Sequence, residues 1–203
     1  MGRHRLIAGL LMALAAPLAW ADGLVLFCYN WDCKTPGVVS FSEPWLKKTL
    51  APLRQAKTAE AERAATAEAV RQFYTKAAEQ IPIAADEPGN EEDETVNGRM
   101  DCIDHSSTTR NILSFLVHRQ ALRWHAVGPY AHRTLFLDSH YSATLIETDA
   151  AAEQDSQIYT VDPWFVEQGS LPPVQPVREW ASYRFYSLET QHHTAAASPA
   201  VRR

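Results

Sequence analysis

Three residues carry the chemistry of a thiol nucleophile: Cys102 in "NGRMDCIDHSSTTRN", His140 at the head of "HYSATLIET", and Asp162 in "QIYTVDPWF". A thiol attacks a carbonyl as its thiolate, so it needs a base to take the proton and a third group to orient that base. Asp101 stands where a helix N-cap is expected, with Cys102, Ser106, Thr109, Leu113 and Leu116 on one stripe behind it and Ile112 and Phe115 beside it. A cysteine in a first helical turn faces unpaired amides whose partial positive charge favours the thiolate. With a histidinium close by, its pKa is expected to fall from about 8.5 into a range of roughly 3.5 to 7.5. The competing reading of Cys102 is an inert cysteine packed under a sheet.

Two runs must bring the partners in. His140 opens one β-branched and aromatic run and Asp162 closes the next. If the two pair antiparallel through a loop at 148–156, the start of one lies beside the end of the other. Imidazole and carboxylate then meet at one sheet edge, with one ring nitrogen held by Asp162 and the other free to face sulfur. Pro163 keeps Asp162 extended. The amide of Cys102 is one oxyanion donor, and Asn97 in the preceding loop is either the second or a turn residue. Trp164 either shields the triad from water or packs in the core.

Other candidates are weaker. His105, three residues after Cys102, could be the base or, with Cys102 and Asp104, a zinc ligand, but no CxxC pair or HExxH motif completes a metal site. His118, His125 and His132 show no acidic partner in frame and read as structural. Asp86, Glu87, Glu91, Glu92, Asp93 and Glu94 do not follow calcium-loop spacing and read as a solvated loop, so neither a metal nor another cofactor is expected.

The elements around these residues follow from period and punctuation. "GLVLFCYN" and "GVVSFS" read as strands; Ser42 or Glu43 starts a helix that is expected to break near Pro52, and Thr58 to Ile81 is a second helix with Val70, Phe73, Tyr74 and Ala77 inward. Residues 82–98 form a polar loop, and the helix headed by Cys102 runs to about Arg119. "LRWHAV", "HRTLFLD", "HYSATLIET" and "SQIYTVD" then predict consecutive antiparallel strands, and "PVREW" a closing helical turn. Helices followed by a meander make the class α+β.

The opening "MGRHRLIAGLLMALAAPLAWADG" reads as a signal peptide over residues 1–21: basic start, 15-residue apolar stretch, and the small-x-small triplet Ala19, Trp20, Ala21. That stretch is shorter than the roughly 20 residues a membrane span needs. One domain over 22–186 and a disordered tail over 187–203, holding His192 and His193, complete the expected organisation. Loss of Arg3 and Arg5 with the leader leaves a net charge of −7, which disfavours nucleic acid and anionic lipid as partners. Export, to the periplasm by this reading, lets disulfides persist, and Cys28 and Cys33 are close enough to bridge a short loop, leaving Cys102 unpaired.

"GRMDCIDHS", "HYSATLIE" and "YTVDPWF" together resemble the cysteine, histidine and aspartate blocks of the transglutaminase-like superfamily, in particular the bacterial transglutaminase-like cysteine proteinases. The resemblance covers roughly residues 97–170. It implies a papain-like fold in which a D-C-x-D motif heads a helix and successive strands carry the histidine and aspartate. By it Cys102 is the nucleophile, His140 the base and Asp162 the orienting carboxylate, with Asp101 and Asp104 supporting the cysteine. Ile103 stands where members often carry an acidic residue, and Ser106 where an aromatic is usual. The implied activity is cysteine-dependent hydrolysis or acyl transfer on protein or peptide substrates of the cell envelope; the alternative is a non-catalytic binding module of the same fold.

Overall fold

Alternating inward residues Val25 and Phe27, and Val39 and Phe41, make a hairpin of β1 (Gly23–Tyr29) and β2 (Thr35–Phe41), paired antiparallel from Gly23 opposite Phe41 to Tyr29 opposite Thr35. The computed structural model describes residues 23–90, 92–135, 138–148, 157–182 and 185–192. The expected leader, most of the expected 148–156 loop and residues 193–203, including His193, lie outside that range.

Helix α1 (Glu43–Gln55) takes Pro44 in its first turn, as expected, but runs past Pro52. So late in a helix a proline removes a single backbone bond, and Leu46, Leu50 and Leu53 form one continuous buried stripe that holds the final turn. Helix α2 (Ala59–Ala77) is capped by Thr58, whose hydroxyl accepts from the Ala61 amide. It ends before Ile81, because Pro82 forces the preceding residue into extended backbone and starts a short 3-10 turn, Pro82–Ala85, inside the stretch expected to be loop. Helix α3 (Cys102–His118) begins and ends within a residue of its expected limits.

The meander is more elaborate than a simple succession of neighbours. Its strands are β3 (His125–Val127), β4 (Tyr130–Leu135), β5 (Asp138–Glu147), β6 (Ile158–Val161), β7 (Val174–Pro176) and β8 (Phe185–Glu189), in the order β7-β6-β5-β4-β8. Strand β3 pairs with the far end of β5 rather than with β4. Strands β3 and β4 thus act as one strand along β5, broken at Gly128-Pro129, where the pairing register slips by one residue. Gly128 is required there, since a Cβ would lie 2.2 Å from the Thr144 hydroxyl. Two strands were not anticipated. Strand β7 is short and ends in a proline, and β8 takes residues 187–189 out of the expected tail by pairing with β4. Helix α4 (Val177–Ala181) is the expected turn at "PVREW".

The fold is therefore α+β, with two apolar clusters. Phe27, Phe41, Phe73, Leu50, Ile112 and Leu116 meet Ala143, Leu145 and Val161, and a smaller cluster gathers Ala131, Ile158, Val177 and Trp180. No helix among the described residues is long and apolar enough to cross a membrane.

Candidate active site

Asp101 caps α3 as expected: its Oδ1 accepts the Asp104 amide at 2.8 Å, and Asp104 reaches back to the Asp101 amide at 3.3 Å, closing a capping box. Both carboxylates also reach outside the helix. Asp104 accepts the amides of Trp31 and Cys33, each at 2.7 Å, and Asp101 accepts that of Asp32 at 3.0 Å. Those amides belong to the β1–β2 connection, where Asn30, Trp31, Asp32 and Cys33 all have positive φ, between 51° and 68°. None is glycine, so each pays the left-handed penalty of roughly 1 to 2 kcal/mol. A disulfide between Cys28 and Cys33 closes the same loop, as the sequence predicted. The converging amides form a nest around the Asp104 carboxylate.

Cys102 follows as the first residue of α3, a free thiol with part of its surface at solvent. Burial pushes it up to about 12; the amides of Tyr141 and of Cys102 itself pull the other way, and the charges of Asp101 and Asp162 reinforce the rise. This corrects the expectation of a ready thiolate. The helix terminus does face the sulfur, but the amides only partly offset desolvation and two nearby carboxylates. Attack by such a thiol would require a base to take its proton as the bond forms.

The pairing of β5 with β6 runs from Ala143 opposite Val161 to Ile146 opposite Ile158, so Asp162 falls just beyond the ladder toward His140. His140 Nε2 lies 2.7 Å from Asp162 Oδ2, with both side chains buried. Trp180 Nε1 donates to the same oxygen at 2.7 Å, and the Trp164 amide to Oδ1 at 3.3 Å. Burial alone would raise the Asp162 carboxyl, but His140 and these donors outweigh it and hold it below its ordinary value. An ionised Asp162 can only accept, so Nε2 carries the hydrogen of this bond, and in the neutral imidazole the lone pair is then on Nδ1. That Nδ1 is buried and has no hydrogen-bond partner among the described residues. The next amide along the strand, that of Tyr141, is the one facing the Cys102 sulfur. Trp164 stacks on the imidazole at 4.4 Å and 24°, and Phe165 meets it edge-on at 4.9 Å, so the ring is walled from water.

The remaining candidates are placed elsewhere. Asn97 is exposed in a turn, and its side-chain carbonyl accepts from Asn30. His105 is buried with its Nε2 2.9 Å from Asp86 and its ring stacked on Tyr74, and its Nδ1, like that of His140, has no hydrogen-bond partner among the described residues. Two of the three histidines without a partner in frame, His125 and His132, do have carboxylates. His125 meets buried Glu62 at 2.9 Å, with the Arg123 and Trp124 amides on the same carboxylate, and His132 meets Glu189 at 2.9 Å. Within the acidic loop Glu87 and Asp93 pair with Arg99, while Glu91 lies outside the described residues. Cys28, Cys33 and Asp104 converge within 4.8 Å, but the two sulfurs are joined to each other and both Asp104 oxygens accept amides. Trp180 escaped the sequence reading; its only signal is a tryptophan on the short helical turn after β7.

The carboxylates give the fold an acid-side stability optimum. Burial pushes the Asp104 carboxyl up to about 7, with the Asp101 charge adding to it, and Asp101 itself is raised. A raised carboxyl contributes stability that is complete below the unfolded value near 4 and is lost as pH climbs to about 7. Asp162, being lowered, contributes above that value and loses its contribution as pH falls through it. Urea unfolding is thus expected to show maximal stability between about pH 4 and 5, declining as pH climbs to about 7 by up to about 1.4 kcal/mol per pH unit for each proton released and levelling off above it. Asp104→Asn should flatten the decline; a wild-type profile that rises from pH 5 to 8 would exclude this account.

No family model, curated protein or solved structure matches the chain.

Proposed function

We propose that this protein is a cysteine-dependent amide hydrolase or acyl transferase acting on protein or peptide substrates, with Cys102, His140 and Asp162 as its triad. The observation that carries the reading is His140, whose Nε2 is committed to an ionised carboxylate while its buried Nδ1 has no partner among the described residues. That imidazole is set up to accept one proton, and the adjacent backbone borders the only cysteine outside a disulfide among the described residues. As substrate arrives, Cys102 Sγ gives its proton to Nδ1 and bonds to the amide carbon. The Cys102 amide at the helix terminus donates to the developing oxyanion. His140 passes the proton to the departing amine as the C–N bond breaks, leaving a thioester, and then deprotonates the water that releases the acid. An amine in place of water gives transamidation by the same steps.

A cysteine-headed helix and an antiparallel sheet that carries a histidine near the start of one strand and an aspartate just past the end of the next also support the likeness to transglutaminase-like, papain-like cysteine proteinases. The disulfide fits export into an oxidising compartment such as the periplasm.

The test is mass spectrometry after incubation with an activated acyl probe. The expected result is a single acyl adduct on Cys102, absent from Cys102→Ala and discharged on standing in water. Adducts confined to other residues would overturn the reading.

The raised thiol favours a second reading, a binding module that keeps the fold without turnover. Alkylation separates the two. A triad gives a rate that falls when His140 is replaced by alanine, whereas a binding module gives one that His140→Ala leaves unchanged and that climbs about tenfold per pH unit into the alkaline range.

A further inference from the structure

His192, three residues past the end of β8, does not hang free. Its ring lies 3.9 Å from that of Tyr130 and meets Tyr141 edge-on at 4.9 Å and 89°. Its Nε2 is 2.9 Å from the hydroxyl of Ser106, one helical turn from Cys102. Ser106 has one hydrogen, aimed at the Cys102 carbonyl at 2.6 Å, so the imidazole supplies the N–H. His105, His125, His132 and His140 each hydrogen-bond a carboxylate; His192 alone among these five is met by a hydroxyl and two phenol rings.

The slot is built on regular elements. Arg110 of α3 lies over the Tyr130 ring at 4.7 Å, and His132 of β4 stacks on Tyr141 at 4.1 Å and 3°. The Tyr141 residue that forms one wall also turns its amide toward the Cys102 sulfur. Slot and nucleophile therefore share α3 and β5. Burial moves the His192 imidazole down to about 4, so the ring is neutral in place, as a hydroxyl and two aromatic walls require.

We propose that the slot between Ser106, Tyr130 and Tyr141 is a side-chain subsite beside Cys102 for a flat ring bearing an N–H, imidazole or indole, of a bound peptide, and that His192 occupies it as an internal competitor. This rests on Cys102 being the nucleophile of a peptide-directed enzyme, and it narrows the substrate class of that site. The His192 side chain then acts as a stopper that a substrate must displace.

The experiment reads occupancy without turnover, as the rate at which iodoacetamide labels Cys102 at pH 8 in the full chain. His192→Ala is expected to label at least about fivefold faster, whereas His192→Trp, which keeps ring and N–H, stays near wild type. Millimolar N-acetylhistidine amide should return His192→Ala to the slow rate, N-acetylleucine amide should not, and Ser106→Ala in the His192→Ala background should abolish the protection. Equal labelling of wild type and His192→Ala, or protection by both amides alike, overturns the subsite. Protection without any acyl adduct would retain the subsite and remove the hydrolase reading; an adduct without protection would do the reverse.

Discussion

Replacing His140 with alanine is expected to slow acylation of Cys102 by at least about a thousandfold at pH 7, with Asp162→Asn causing a loss on the order of a hundredfold or more. With the thiol at about 12, the thiolate fraction at neutral pH is on the order of one part in 10^5, so attack depends on a base that moves the proton as the bond forms. In the proposed triad His140 serves as that base only while Asp162 fixes its tautomer. Asparagine cannot reproduce the arrangement. Oδ2 takes the N–H groups of both His140 and Trp180, and Oδ1 faces the Trp164 amide, so whichever way an asparagine amide turns, its NH2 opposes a donor. Asp162→Ala removes the acceptor altogether and leaves three buried N–H groups unpaired, for a loss of about 3 to 5 kcal/mol in urea unfolding. Stopped-flow acylation with an activated ester checks the kinetic claim. Rates within tenfold of wild type in His140→Ala would remove imidazole from the mechanism, and with it the role assigned to Asp162.

What the sequence made legible follows the range over which each signal acts. The start of α3 was readable because a cap, a capping-box partner and a helical stripe all fall within a dozen residues. The meeting of His140 with Asp162 was readable because two adjacent β runs and one loop fix their approach. Partnerships at long separation left no such trace. Glu62 with His125, Glu189 with His132, and Trp180 on Asp162 are joined by tertiary packing alone. Strand β8 was lost in the expected tail because its exposed Phe185 and half-buried neighbours give little alternation. The thiol went wrong for a different reason. A helix terminus is a local feature and argues for a thiolate, whereas desolvation depends on the whole fold and here outweighs it.

The loop over α3 was equally hidden, since "NWDC" contains no glycine to announce left-handed backbone and its carboxylate partners lie about 70 residues away. Beside the Asp101 carboxylate, which takes the Asp32 amide, two devices hold that loop, the disulfide and the Asp104 carboxylate, and the last is expected to matter more. Asp104→Ala strands the amides of Trp31, Cys33 and Asp101 and opens half the capping box. The expected loss is about 3 to 5 kcal/mol, taking roughly 1 to 3 kcal/mol for each buried donor left unmet and allowing some relaxation of the strained turn. Removing the disulfide as Cys28→Ala with Cys33→Ala should cost about 2 kcal/mol, because the loop it closes is short. The two losses will not add. Once Asp104 is gone only the bridge and Asp101 of these remain to hold four left-handed residues, so removal of the bridge in that background should cost more than it does in wild type. Urea unfolding of the four proteins in this cycle decides the point. A disulfide loss exceeding the Asp104→Ala loss would mean that the bridge, and not the carboxylate nest, fixes the helix terminus on which Cys102 sits.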